Sequence, residues 1–163
     1  MIRRIKVPED RIAVIIGKGG NIRQEIENNT HTKIKVDEDV EIEGEALDVM
    51  TAENIVKAIS RGFSPENAFE LLDEEKFMSM LELPKSENTL KRIRSRLIGA
   101  KGKCRRNIEM LTKTKISIYG RTAGIIGKYE NVELAKGGIN RIVKGVSHSA
   151  VYEYLEGHQK DLM

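Results

Sequence analysis

One segment of this chain of 163 residues occurs twice, and this internal repeat limits what the chain can fold into more than any other feature. Residues 16–36 align without a gap on residues 98–118, and about half of the aligned positions are identical. A second match, 55–60 with 142–147, follows after a slightly longer loop in the second copy. Each copy therefore predicts a unit of roughly 60–70 residues with a core of its own.

Each copy contains the same series of hydrophobic patterns. An apolar strand that ends near a proline comes first, followed by a short helix, a glycine turn and a second helix with apolar residues three and four positions apart. Two strands and a longer closing helix complete the unit. The order β-α-α-β-β-α predicts an α+β fold, in which three helices cover one face of a three-stranded antiparallel sheet. The predicted helices span about 11–16, 21–29 and 51–61 in the first copy, and 89–98, 103–111 and 132–146 in the second.

The repeat also predicts the domain boundaries. Residues 1–62 form the first domain and residues 77–163 the second, which ends with an extra helix over about 150–159. Residues 63–76 join them as a connecting helix, because Ser64 is a good helix cap and Pro65 suits the first helical position.

The glycine turn is the element with an evident chemical use. Its sequence is Gly-Lys-Gly-Gly at 17–20 and Gly-Ala-Lys-Gly at 99–102, and both copies lie between two helices. Glycines allow a tight reversal and a close approach of another backbone, while the helix that follows points free N–H groups and its positive dipole at the same place. A phosphodiester group suits that position. One such turn is common in proteins, but two copies in matched contexts favour binding of a nucleic-acid backbone.

The charge distribution indicates which half binds a polyanion. The net charge is +3, but residues 1–75 sum to −7 and residues 76–163 to +10. Between Lys91 and Arg121, Glu109 is the single acidic residue among eleven basic ones. A run of charge is often only a solvated helix face, yet this one surrounds a glycine turn. The second unit should therefore supply most of the affinity for a polyanion, and the acidic strands of the first unit fit either a basic protein partner or a solvated sheet edge.

Several function classes are disfavoured by composition. A single cysteine and three scattered histidines provide no metal-ligand spacing, so we predict no metal, no cofactor and no enzymatic activity. The spacing of the glycines fits neither a P-loop nor a dinucleotide fingerprint. Aromatic residues make up 4% of the chain, fewer than modules that stack bases on aromatic platforms require. No apolar run is long enough to cross a membrane, and we expect a cytoplasmic protein without a membrane partner.

The Ile-Gly-x-x-Gly turns at 16–20 and 98–102, inside β-α-α-β-β-α units, resemble those of the KH family, and the order is that of type I KH domains. In that family the turn clamps the backbone of about four nucleotides of single-stranded nucleic acid. The resemblance implies a hydrophobic base groove beside each turn, although the same residues could simply be core. The groove candidates are Ile15, Ile22, Ile26 and Ile34 in the first unit, and Leu97, Cys104, Ile108 and Ile116 in the second.

Three further segments resemble one particular family of KH proteins. Residues 62–73, 118–122 and 147–152 resemble those of the archaeal two-KH ribosome-maturation family, which is homologous to the eukaryotic pre-ribosomal partner of Nob-one. This resemblance implies binding near the 3′ end of small-subunit ribosomal RNA during processing, together with the maturation endonuclease and the alpha subunit of translation initiation factor two. A protein-docking scaffold, or a general KH regulator without a ribosomal role, remains the alternative.

The predicted RNA-binding residues are those of the two turns, the basic residues close to them, and Cys104. They are Gly17, Lys18, Gly19, Gly20 and Arg23 in the first unit, and Gly99, Ala100, Lys101, Gly102, Lys103, Cys104, Arg105, Arg106 and Arg121 in the second.

Overall fold

The computed structural model describes residues 1–159, and within them both repeats have the predicted order of elements. The chain divides into two compact units between Glu74 and Glu75. The α+β fold class and the β-α-α-β-β-α order are confirmed in each unit. The first unit contains β1 (Ile2–Lys6), α1 (Glu9–Ile16), α2 (Asn21–Thr30), β2 (Lys33–Val36), β3 (Asp39–Glu43), α3 (Ala46–Ser60) and a short α4 (Pro65–Ala68). The second contains β4 (Lys76–Glu82), α5 (Glu87–Ile98), α6 (Lys103–Thr112), β5 (Lys115–Tyr119), β6 (Thr122–Lys128), α7 (Tyr129–Val143) and α8 (His148–His158).

Each sheet is antiparallel, with the third strand of its unit in the centre: the orders are β1-β3-β2 and β4-β6-β5. In the first sheet Val40 and Ile42 are fully buried two positions apart, and they pair with Ile5 and Ile34 on the flanking strands. Alternating side chains of a strand point to opposite faces, so these apolar residues lie on one face of the sheet and form the floor of the core.

The segment that was predicted as a connecting helix packs into the first unit. Phe63 and Ala68 are buried, at 1% and 0% exposure, and α4 contacts α3. The Ser64 side chain accepts a hydrogen bond from the Asn67 N–H and Pro65 is the first helical residue, as expected from the sequence. The helix is only four residues long, because a 3₁₀ turn replaces it from Phe69 onward.

The extra helix α8 completes the core of the second unit. It contacts α6 and α7, and its Val151 and Leu155 are fully buried. The His148 imidazole lies 2.9 Å from the Arg96 carbonyl oxygen near the end of α5. Helix α8 is therefore bound to both helices that flank the second glycine turn. The last four residues of the predicted second domain, 160–163, lie outside the described residues.

The repeated Glu-x-x-Thr-x-Thr pattern holds the second helix of each unit to the next strand. The Thr30 hydroxyl lies 2.7 Å from the Ile26 carbonyl oxygen and 2.8 Å from the Thr32 hydroxyl, and both side chains are buried. Thr112 and Thr114 form the same pair, at 2.8 Å, in the second unit. A hydroxyl network that is buried and satisfied specifies one packing arrangement, so this part of the repeat is structural.

We expect Thr30→Val to lower the free energy of unfolding by roughly 1–3 kcal/mol, because it removes a buried hydrogen bond and leaves the Thr32 hydroxyl without this partner. Chemical unfolding followed by circular dichroism measures the change. Thr51→Val in the same unit is the control, since its hydroxyl bonds to the Leu47 carbonyl oxygen at an exposed site. Equal effects of the two substitutions would contradict the structural role of the buried pair.

Candidate nucleic-acid interface

The two glycine turns have the same backbone shape although their sequences differ. The first, third and fourth residues all have positive φ angles: 75°, 62° and 80° at Gly17, Gly19 and Gly20. The corresponding angles in the second turn are 75°, 54° and 76°, at Gly99, Lys101 and Gly102. Lys101 therefore adopts a left-handed conformation that costs an ordinary residue about 1–2 kcal/mol, whereas the first turn has a glycine there.

The first glycine of each turn packs directly against the helix that follows. A β-carbon on Gly99 would lie 2.7 Å from the Cys104 backbone nitrogen, and one on Gly17 would lie 2.4 Å from Ile22 Cγ1. Neither approach is tolerable. A β-carbon on Gly102 would meet mainly the end of the Arg106 side chain, at 2.9 Å, which can move away. The first glycine is thus required by packing, whereas glycine is only favoured at the last position, by its positive φ angle.

The helices after the turns begin without a side-chain cap. Gly20 precedes α2 and Gly102 precedes α6, and no side chain among residues 1–159 caps either helix. Each helix is ten residues long, so its first N–H groups and its dipole present a partial positive charge at the turn. An anionic group is the natural partner for that charge.

A shared glutamate holds the arginine next to each turn. Arg105 donates to Glu109 Oε1 at 2.9 Å, and Glu109 Oε2 accepts the N–H of Ile116 at 2.8 Å. Arg23 donates to Glu27 at 2.8 Å in the same way, and Glu27 accepts the Ile34 N–H. These ion pairs hold both guanidinium groups against their own helices, close to the turns, and reduce their net charge.

Other basic residues of the second unit differ in their freedom to meet a phosphate. Arg106 donates to the Lys101 carbonyl oxygen at 2.6 Å, and Arg121 donates to the Lys85 carbonyl oxygen and lies 3.5 Å from Glu87. Lys101 and Lys103 are exposed, and neither forms an ion pair with a described residue. Lys18 of the first turn is exposed. Ala100 occupies the equivalent position of the second turn and is uncharged. Lys101 and Lys103 are therefore the cations at the second turn that are not held by another described residue.

Most of the groove residues suggested by the sequence belong to the core. Ile22 is partly exposed, but the other seven are buried and at most 5% exposed. Cys104 is 1% exposed beneath its turn, so we expect its side chain to support the turn rather than to contact RNA. Burial raises the pKa of the Cys104 thiol above its usual value, although a hydrogen bond from Tyr152 opposes the shift. The thiol is consequently neutral at physiological pH and acts as a small apolar residue.

Two arginines have a role that sequence reasoning missed. Arg11 donates to the carbonyl oxygens of Ile59 and Phe63 at 2.8 and 2.9 Å, and Arg96 donates to those of Ile142 and Val146 at 2.8 and 2.7 Å. Each guanidinium thus satisfies carbonyl groups at the end of the closing helix, where a positive charge is also favoured by the helix dipole. Arg96 was part of the basic run, and no local pattern separates it from the residues of that run that were predicted to bind RNA.

The structure also places a cleft of about 560 Å³ along helix α5, on the N-terminal side of the second turn. Leu90, Arg94 and Ile98 line it together with polar residues, and Ile98 directly precedes Gly99. In the first unit, the acidic run lines a different cleft, with Asp37, Glu38 and Glu41 beside Arg4 and Lys35. The chemical contrast between the two clefts follows the charge difference between the two halves of the chain.

Residues 1–159 contain neither a cluster of metal-ligating side chains nor a membrane-spanning helix. They contain no group of three or more His, Cys, Asp or Glu side chains arranged to hold a metal ion. In this part of the chain no helix has both the length and the apolar character needed to span a membrane.

We expect Lys101→Gly to raise the free energy of unfolding by up to about 1 kcal/mol, because glycine removes the left-handed strain at that position. Lys101→Ala is the matched control, since it removes the same charge but keeps a β-carbon in the strained conformation. Urea unfolding of both variants separates the effect of conformation from that of charge. A glycine variant no more stable than the alanine variant would show that this strain is absent in solution.

Comparisons with known proteins agree with this geometry. Residues 2–58 match the KH-domain model, and residues 76–160 match the eukaryotic-type KH-domain model (KH-domain type I) of the second domain of PNO1. The KH domain-containing protein MJ0443 of Methanocaldococcus jannaschii is 37% identical, over 99% of this chain and 75% of that protein. The RNA-binding protein pno1 of Drosophila pseudoobscura pseudoobscura is 34% identical, over 61% of this chain and only 44% of that protein.

Two solved structures from Pyrococcus horikoshii OT3 are also similar. Dim2p alone has a TM-score of 0.90 at 43% identity, covering 96% of this chain and 99% of its own. A complex of a/eIF2alpha, aDim2p and rRNA matches with a TM-score of 0.91 at 40% identity, covering 99% and 95%. The two turns described above therefore belong to a known scaffold, and the chain is a member of the RNA-binding KH-domain family that includes Dim2p and the pno1 proteins.

Proposed function

We propose that this protein binds single-stranded RNA of the 3′ region of small-subunit ribosomal RNA during ribosome biogenesis, and that the second unit provides most of the affinity. The observation that carries the proposal is the second turn: an uncapped helix N-terminus flanked by the exposed Lys101 and Lys103, in the half of the chain with a net charge of +10. The similar protein aDim2p forms a complex that includes rRNA, which supports ribosomal RNA as the ligand.

Binding would begin with the phosphate groups. The first N–H groups of α6 and the two free lysines attract a phosphodiester to the turn, and close approach is possible because Gly102 carries no side chain. Arg105 keeps its contact with Glu109 and directs its remaining donors toward the same region. These contacts are independent of sequence, so they position the RNA and leave the choice of bases to other residues.

A second function is favoured for the first unit. Its acidic cleft, lined by Asp37, Asp39 and Glu41 among others, would repel RNA on that face. A basic protein surface fits it better, and the alpha subunit of initiation factor two or the maturation endonuclease are the partners we propose. The Pyrococcus complex contains a/eIF2alpha together with aDim2p, which supports the alpha subunit as a partner. The first turn can still bind RNA, through Lys18 and the backbone of residues 17–20.

We propose no enzymatic activity, because the related pno1 proteins are RNA-binding proteins. The proposed roles require only that charged and backbone groups bind and position RNA. The cytoplasmic location stays a prediction.

We expect fluorescence anisotropy to detect tighter binding of an oligonucleotide from the 3′ end of small-subunit ribosomal RNA than of a scrambled control. Repeating the titration at two salt concentrations should give a logarithmic slope of about −0.7 for each phosphate neutralised. A duplex of the same sequence should bind more weakly. Equal binding of the ribosomal and scrambled strands would leave a general KH protein without this target, and a lack of binding to both would favour the protein-docking role.

We expect Gly102→Asp to weaken RNA binding by roughly tenfold or more, because it places a carboxylate where the phosphate must approach. Gly102→Asn is the matched control: it has the same size and tolerates the same positive φ angle, but it carries no charge. Thermal unfolding verifies that both variants fold. Wild-type affinity in the aspartate variant would exclude the second turn as the phosphate site.

A further inference from the structure

Two exposed aromatic side chains lie together at one end of the sheet of the second unit. Phe77 of β4 is 36% exposed and Tyr129, the first residue of α7, is 63% exposed. No other aromatic side chain among residues 1–159 is classed as exposed. The two rings stack, with their centroids 5.8 Å apart and an angle of 25° between their planes. A single exposed ring needs no explanation, but a stacked pair presents a flat apolar surface that a further ring can extend.

Lysine residues flank this aromatic pair. Lys128 directly precedes the second ring and is exposed. Lys113 is also exposed, and its carbonyl oxygen lies 3.6 Å from the place that a β-carbon of Gly127 would occupy. Gly127 is directly opposite Phe77 in the sheet, so Lys113 lies next to the pair. Aromatic surface combined with positive charge is typical of proteins that bind single-stranded nucleic acid.

The acidic residues near the aromatic pair do not cover it. Glu75 lies 3.4 Å from the Lys128 Nζ atom, but both side chains are exposed, and such ion pairs are weak. Glu130 follows Tyr129 on α7, and successive residues of a helix do not face the same side. The face of the Tyr129 ring that points away from Phe77 is therefore accessible to a ligand.

An exposed stripe on α6 connects the second glycine turn to the aromatic pair. Its residues are three or four positions apart and hence lie on one side of the helix: Lys103, Arg106, Met110 and Lys113. The ten residues of α6 span about 15 Å from the turn to the end of the helix. A stacked strand advances by about 3.4 Å for each nucleotide, so roughly five nucleotides cover this distance.

The internal repeat provides a comparison within the same chain. At the offset that aligns the two turns, the stripe of the first unit consists of Asn21, Gln24, Asn28 and His31, without a lysine or an arginine. Met1 lies opposite Gly44 as Phe77 lies opposite Gly127, and Ala46 begins α3 as Tyr129 begins α7. The scaffold of the fold therefore requires neither the basic stripe nor the aromatic pair. Both occur in the unit that has the net positive charge.

We propose that an RNA strand held at the second turn continues along the exposed stripe of α6, and that one of its bases stacks on Tyr129. The inference rests on the proposed RNA-binding function and adds a second contact site, at the other end of α6. Phe77 supports one face of the Tyr129 ring and the base covers the other. Every base has a face that can stack, so this site lengthens the bound segment without selecting its sequence. Lys113 and Lys128 neutralise phosphates on either side of the base.

The first test compares RNA strands of mixed sequence that are four and twelve nucleotides long, because a KH turn holds about four nucleotides. Tyr129→Ala should weaken binding of the longer strand about tenfold and leave binding of the shorter strand unchanged. Tyr129→Phe is the matched control, since it keeps the ring and should bind both strands like the wild type. Wild-type affinity of the alanine variant for the longer strand, or an equal loss for both lengths, would overturn the proposal.

A second test measures the contribution of charge along the stripe. Lys113→His introduces the residue of the first unit, which suits the left-handed conformation of this position. At pH 8, where histidine is neutral, the salt slope for the longer strand should become shallower by about 0.7, whereas that for the shorter strand should not change. Lys57→Gln removes an exposed lysine of the first unit and should change neither slope. An unaltered slope for the longer strand in the Lys113 variant would contradict the path along α6.

A third test reports on the base directly. The chain contains no tryptophan, so Tyr129→Trp introduces a single fluorophore at the proposed contact. The longer strand should quench its fluorescence, and the shorter strand should not. Binding of the longer strand without quenching would exclude the aromatic pair but leave the proposed RNA-binding function intact. Failure of the wild type to bind either strand or the ribosomal oligonucleotide would overturn that function as well.

The variants at Tyr129 should fold normally, because the side chain is largely exposed. Thermal unfolding verifies this point. If the alanine variant does not fold, the tryptophan variant still distinguishes a stacked base from an empty surface.

Discussion

The close approach of the first glycine of each turn to the next helix is the contact on which the rest of the site depends. Gly99 lies so near the backbone of Cys104 that no β-carbon fits between them. This contact allows α5 and α6 to meet at a tight turn, and the start of α6 then faces outward without a side-chain cap. The positive end of that helix is consequently available to an anion, and Cys104 is buried beneath it.

Around this contact the two units share a scaffold but differ in chemistry. The glutamate that joins the arginine to the next strand, the buried threonine pair and the arginine that caps the closing helix occur in both. The capping arginine comes from a different position of the first helix, Arg11 in one unit and Arg96 in the other, yet it reaches equivalent carbonyl groups. The residues outside this scaffold diverge, so the first unit is acidic and the second basic. Two copies of one fold therefore carry opposite net charges.

The sequence predicted the type and order of every element in the repeated units, because two copies of the same pattern support each other. Helix boundaries were less accurate. Helix α3 begins at Ala46 and α7 at Tyr129, several residues earlier than the apolar patterns indicated. Both helices start after an extended residue that provides no side-chain cap, so the usual Ser, Thr, Asp or Asn signal is missing. The exposed Leu47 and Met50 also obscure the first turn of α3, since they lie on its solvent side.

The sequence alone determined the two units, the glycine turns between paired helices and the basic character of the second half, since these depend on repetition, local conformation and net charge. Only the tertiary structure decided which basic residues are free. Arg96 caps a helix more than forty residues away, Arg105 is held by Glu109, and Lys101 and Lys103 are exposed. The stacking of Phe77 on Tyr129 was equally invisible in the sequence. These differences arise from contacts across the fold, which leave no periodic pattern in the chain.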